Sequence, residues 1–198
     1  MKRFFYSAIF LFFISGCSSN DTSAPTIPST MPMSSFVGSK TMPIYKYAGS
    51  NNGAALGFEF KVKANAFVTG LGCASPTVGT YNLTLFQVDS VNKSGKLLTT
   101  TPITIGVADT ASFKFTYVAL ANKISISKGV YYRIAINGDF TAYDYLTFPT
   151  GNQMSLPLPL PTNSKFIFTN GVAGYANQYP DTEFSTYMFP ADVVIQFP

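Results

Sequence analysis

The sequence predicts an all-β fold, a single antiparallel β-sandwich of jelly-roll type, on three observations. Apolar and polar residues alternate over short runs, the period of a strand with one face buried. Gly, Asn, Asp and Ser break the chain between those runs at near-regular intervals. No window long enough for a stable helix repeats its apolar residues with the helical period. The composition agrees, with 19 Phe and 12 Tyr and only 11% charged residues.

The elements are best taken in chain order. Residues 1–16 begin with Lys2 and Arg3, and a short apolar run, Phe4 to Gly16, follows. A bilayer-spanning helix needs about 20 apolar residues, so this run is too short to span and is read as an export leader. Ile14-Ser15-Gly16-Cys17 resembles the lipobox of bacterial lipoproteins. That resemblance implies cleavage before Cys17 and acylation of its thiol and new amine. Several acyl chains are what stable anchoring requires, because one chain holds only marginally. Residue 18 is Ser rather than Asp. The resemblance therefore implies the outer membrane, at its periplasmic face or at the cell surface.

Residues 17–39 form a Ser/Thr/Pro-rich stretch that reads as a disordered tether, too poor in apolar surface to offset its ordering entropy. Residues 40–198 are then the β-sandwich domain. Ala55–Lys63 alternates, with Leu56, Phe58, Phe60 and Val62 inward and Glu59, Lys61 and Lys63 toward water. Ala66–Cys73 is a second strand. Tyr81–Val88 is apolar on both faces near its end, which places it inside a sheet. Lys96–Ile105 carries Pro102, the mark of an edge or a bulge. Ser112–Val118, Lys123–Ile126, Val130–Ile136, Tyr145–Phe148, Lys165–Phe168 and Asp192–Phe197 complete the strands. Met154–Pro161 alternates Leu and Pro and is read as an extended crossing or edge cover.

Several of these segments together resemble a known bacterial family. They are Leu56-Gly57-Phe58-Glu59-Phe60, Val68-Thr69-Gly70-Leu71, Gly79 to Phe86, Gly95-Lys96-Leu97-Leu98, Ile126 to Ile134 and Ala191 to Phe197. The family is catalogued as domain of unknown function 4082. It consists of β-sandwich modules on secreted bacterial proteins, often beside adhesion or carbohydrate-active modules. The resemblance implies a fold and an extracytoplasmic setting and assigns no catalytic residue.

Composition excludes several chemistries. There is no His, so Ser-His-Asp and Cys-His catalysis and His-ligated metals are ruled out. Cys73 is the one cysteine besides Cys17, so the domain has no internal disulfide. It reads either as a small buried hydrophobe or as a nucleophile in need of an activating base. The chain has 13 Lys+Arg against 9 Asp+Glu, and Lys2 and Arg3 leave with the leader, so nothing favours nucleic acid.

The candidate ligand site rests on two segments that read as loops, Gly138 to Tyr145 and Asn170 to Asp181. From them come Tyr143, Asp144, Tyr145, Tyr175, Asn177, Gln178 and Tyr179. A tyrosine ring suits the C–H face of a sugar, and neighbouring carboxylates and amides suit its hydroxyls. The same tyrosines could instead cap the sandwich core. Asp181 and Glu183 could hold calcium through an i, i+2 pair or simply be solvated acids. Arg133 reads as a cross-strand partner of Glu59 or as a ligand clamp. Asp89-Ser90-Val91 and Asp109-Thr110-Ala111 resemble a short bacterial O-glycosylation sequon.

The expected function is noncatalytic recognition of glycan or of a cell-surface partner by a membrane-anchored module. A structural or adhesin-type subunit is the alternative, and a glycan hydrolase the third reading. Aligned exposed tyrosines, a bare edge strand and two facing carboxyls in a cleft would respectively mark the three.

Overall fold

A computed structural model describes residues 29–39, 44–75, 77–91, 93–107, 114–147, 158–160 and 163–198. Cys17 and its lipobox, and the Asp109 sequon, lie outside these residues. The fold is an all-β sandwich with one short helix. The elements run β1 (Ser29–Thr30), α1 (Pro32–Ser39), β2 (Ile44–Val62), β3 (Ala66–Cys73), β4 (Gly79–Val88) and β5 (Gly95–Ile105). They continue as β6 (Thr116–Ile126), β7 (Tyr131–Thr147), β8 (Leu158–Leu160), β9 (Asn163–Tyr175), β10 (Thr182–Phe184), β11 (Tyr187–Met188) and β12 (Ala191–Gln196).

The smaller sheet, sheet A, has the order β1-β12-β3-β6, and the larger, sheet B, has the order β10-β9-β2-β7-β4-β5. β8 adds to β9 and β11 to β7, and every paired strand among the described residues is antiparallel. The spine of sheet B is the β2–β7 pair, in register at Leu56 opposite Ile136, Phe58 opposite Ile134 and Phe60 opposite Tyr132. These inward residues are buried, as strand alternation requires.

Sheet A answers with Val68, Leu71, Cys73, Val193 and Ile195, all fully buried. Rings from sheet B fill the space between: Phe60 stacks on Phe166 at 4.9 Å, and Phe58 meets Phe168 edge-on at 5.2 Å. β4 lies inside sheet B between β7 and β5, as its two-faced apolar pattern predicts. β5, with Pro102, is an edge.

Three expectations are corrected. Ser29–Ser39 is not tether. Met33 and Phe36 of α1 are buried in the core, and the Phe36 ring lies 5.4 Å from that of Phe168. An eight-residue helix with two buried anchors has too few turns to show a clear period. Second, Gly138–Tyr145 is not a loop but the second half of β7, paired with β2 from Ile44 to Ala54 through two irregularities in register. Third, Glu59 does not face water. It is 2% exposed, because the chain after β9 folds over the outer face of sheet B.

Candidate functional site

That covering segment gives the outer face of sheet B a polar centre. Glu59 and Arg133 stand opposite each other in the β2–β7 register. Arg133 Nε donates to Glu59 Oε2 at 2.9 Å, and Arg133 Nη2 lies 2.8 Å from the same oxygen. Arg133 Nη1 donates to the Pro180 carbonyl, and Nη2 also pairs with Glu183 Oε1. Thr169 Oγ1 donates to Glu59 Oε1 at 2.8 Å. The Tyr179 ring lies over the guanidinium, 4.8 Å from Cζ, and meets Phe86 edge-on at 5.5 Å.

Gly95 makes room for that ring, since a Cβ there would sit 1.9 Å from Tyr179 Cδ2. Burial pushes the Tyr179 phenol above its ordinary range, while the charge of Arg133 works the other way. The turn before it is pinned by Asn137, whose Oδ1 accepts from the Asn177 N–H at 2.9 Å. Asn177 itself sits at φ 61°, a left-handed position that Asn tolerates.

The structure therefore divides the predicted ligand residues. Tyr179 is a lid on a buried ion pair. Tyr175, Asn177 and Gln178 form an exposed turn, with Tyr175 76% exposed. Asp144 is buried within β7. Asp181 is exposed, and its Oδ1 accepts from Thr182 Oγ1 at 3.4 Å. Glu183 is engaged by Arg133 and, at 3.5 Å, by Lys93. A calcium ion on the Asp181–Glu183 pair would have to compete with both cations. Among the described residues no three His, Cys, Asp or Glu side chains are grouped so as to hold a metal.

Tyr143 and Tyr145 belong to a separate aromatic groove. Register places Tyr45 of β2 opposite Tyr145 of β7, and their rings stack at 5.8 Å and 25°. Tyr187 meets Tyr145 edge-on at 5.8 Å, and Phe184 meets both Tyr187 and Phe189 edge-on. Tyr143 packs 5.9 Å from Phe189. Tyr143, Tyr145, Phe184, Tyr187 and Phe189 line a cleft of about 220 Å³. Tyr45 is 48% and Tyr187 40% exposed, so the rings at its mouth are open to solvent.

Gly171 seats this wall: a Cβ there would lie 1.7 Å from the Tyr187 carbonyl oxygen. Tyr45, Phe184, Tyr187 and Phe189 escaped the sequence reading because their partners are remote along the chain. The aromatic density of Tyr187-Met188-Phe189 was the available signal.

The remaining candidates lie elsewhere. Cys73 is fully buried, and burial pushes its thiol up to about 12, so no thiolate is available near neutral pH. Glu59 and Glu183 approach each other, but Arg133 sits between them and binds both. Ser90 is exposed in the turn between β4 and β5.

No protein-family model matches the chain, and no curated protein matches it.

Proposed function

We propose that the protein is a membrane-anchored extracytoplasmic lipoprotein whose β-sandwich recognises glycan without catalysis. The observation that carries the binding reading is the aromatic groove. Tyr45, Tyr145 and Tyr187 present a row of contacting rings, two of them open to solvent. Sugars bind by laying their C–H faces on such rings, and Tyr adds a hydroxyl with little entropy to lose. Glu59 is ion-paired, and Asp192 is fully buried. Neither is placed as the free acid or base that glycoside hydrolysis requires. The lipobox and the resemblance to the sandwich family support the extracytoplasmic setting.

The test is a glycan array probed with the chain bearing Cys17→Ser and lacking residues 1–16. Tyr187→Ala and Tyr45→Ala should each abolish or strongly weaken any hit while leaving the fold intact. Retention of full affinity by both would sink the groove as the site. The anchor is tested separately: Cys17→Ser in the full chain should remove acyl labelling and release the protein from membranes.

A second reading has its own support. β5 is an edge of sheet B and β6 an edge of sheet A. A cleft of about 480 Å³ lies between them, lined by Leu98, Leu120 and Ile124 among others. Two open edges flanking half-buried apolar side chains suit an added strand from a partner. A blank array on folded protein would favour this subunit reading.

A further inference from the structure

We propose that the cleft on the outer face of sheet B, beside the turn joining β4 to β5, binds an acidic sugar unit, one carrying a carboxylate or a sulfate. This site is separate from the aromatic groove. Glu183 and Phe184 are consecutive on β10 and point to opposite sides of the strand, Glu183 toward Arg133 and Phe184 toward Phe189.

The cleft has a volume of about 430 Å³ and is lined by Glu59, Lys61, Lys93, Tyr131, Thr169 and Asn170 among others. Tyr131 supplies a ring. Lys61 Nζ lies 4.9 Å from that ring's centroid and donates to Tyr131 Oη at 3.2 Å. No carboxylate among the described residues pairs with Lys61. Lys93 enters from the turn in a left-handed conformation, φ 59°.

The turn is closed on itself. Asp89 N–H donates to the Ser94 carbonyl at 2.8 Å, Lys93 N–H to the Asp89 carbonyl at 3.0 Å, and Val91 N–H to Asp89 Oδ1 at 2.8 Å. A non-glycine residue held at positive φ carries backbone strain, and the closed turn fixes where its side chain starts.

Charge selects the ligand class. Glu59 and Glu183 bring two negative charges and Arg133, Lys61 and Lys93 three positive ones; Arg133 binds both carboxylates and Lys93 reaches Glu183, which leaves one cation in excess. The surplus is positive. Asn170 Nδ2 lies 3.3 Å from Glu59 Oε1 and 3.4 Å from Glu183 Oε2, which leaves its carbonyl oxygen to accept from a hydroxyl. One ring face, two ammonium groups and an amide suit a single charged sugar unit. A nucleic acid needs many phosphates neutralised in a row, and two lysines do not provide that. Beyond Tyr131 lies a second cleft of about 530 Å³ that adds both Lys96 and Asp89, so the positive excess is confined to the Lys61–Lys93 side of the ring.

The experiment titrates the detergent-solubilised full chain with oligogalacturonate, dextran sulfate and neutral dextran. At least one acidic polymer should bind and dextran should not. The polymer that binds decides between carboxylate and sulfate. Lys61→Gln and Lys93→Gln should each weaken binding by about fivefold, the scale of a partly exposed ion pair, and added salt should weaken it further. Lys123→Gln, on β6 over the Phe67 ring, is the charge control and should change nothing. Tyr187→Ala should also leave acidic-polymer binding intact, which separates this site from the aromatic groove. Failure of both acidic polymers to bind overturns the proposal. Equal loss in Lys123→Gln, or loss in Tyr187→Ala with none in Lys61→Gln, does so too.

Discussion

Two of the three buried carboxylates among the described residues, Glu59 and Asp192, are held in different ways. Glu59, on the outer face of sheet B, meets a full opposite charge in Arg133, with Thr169 and Asn170 on its other oxygen. Asp192, on β12 of sheet A facing α1, meets no cation among the contacts described. Its Oδ1 accepts from the N–H groups of Met33 and Val193 at 2.9 and 2.8 Å. Its Oδ2 accepts from Ser34 N–H at 2.9 Å and from the Tyr117 hydroxyl at 2.8 Å. Met33 and Ser34 lie in the first turn of α1, behind Pro32 at its first position, so Asp192 caps the helix from the far end of the chain.

Desolvation dominates at Asp192. Burial pushes the Asp192 carboxyl up to about 6, and the four donors only partly offset that desolvation. Burial and the neighbouring Asp192 charge likewise push the Tyr117 phenol upward. A cation holds a buried carboxylate in place through charge, whereas dipoles hold it through geometry. The Glu59 arrangement fixes the segment that covers sheet B. The Asp192 arrangement fixes α1 against sheet A.

The largest expected effect breaks the first arrangement. Arg133→Ala strands Glu59 in a dry site and removes the support beneath Tyr179 and Pro180. Removing one partner of a buried ion pair costs about 3–5 kcal/mol, so urea denaturation should show a loss of that order. The double variant Arg133→Met with Glu59→Leu should cost much less than the sum of its singles, because no charge is left unpaired. Additive losses would mean the pair is not coupled as drawn.

The second effect sharpens the contrast through pH. Asp192→Asn replaces an accepting oxygen with a donor that faces N–H or O–H groups, at a cost of about 1–3 kcal/mol. The sign of the pH dependence follows from the raised carboxyl. Its folded value, about 6, lies above the ordinary 3.8, so the fold favours the protonated form. That stabilisation is fully present below about pH 4 and is lost as pH rises through about 6. The wild-type advantage over Asp192→Asn should therefore shrink between pH 4.5 and pH 7.5, as read by urea midpoints. An advantage that grows over that range would mean the four donors outweigh burial.

Both arrangements show why only part of the structure was legible. The strands were visible because alternation is local: Phe58 and Phe60 announce an inward face whatever they pack against. The Glu59–Arg133 pair was open to guess from two charged residues on alternating strands. What hid was everything decided at long range. Glu59 read as exposed because nothing in Ala55–Lys63 reveals that Tyr179 and Pro180 will cover it. α1 read as tether because its two anchors, Met33 and Phe36, sit in a stretch of Ser and Pro whose cap comes from Asp192. Tyr143 and Tyr145 were found by composition, but their groove depends on Tyr45 and Tyr187, brought in by register from both ends of the chain.

The smallest expected effect lies at the rim of the Glu59 arrangement. Lys93 is 3.5 Å from Glu183 and its side chain is 67% exposed. Water screens such a pair, and holding a long side chain in place costs entropy, so Lys93→Gln should change stability by only about 0–0.5 kcal/mol. The contrast with Arg133 is then one of burial, since both cations touch the same Glu183 oxygen. A loss approaching that of Arg133→Ala would show that the turn holding Lys93 is part of the cover over Glu59 and not a free wall of the cleft. A negligible loss leaves Lys93 available to a ligand, and any change it causes in acidic-polymer binding then reports on the cleft rather than on folding.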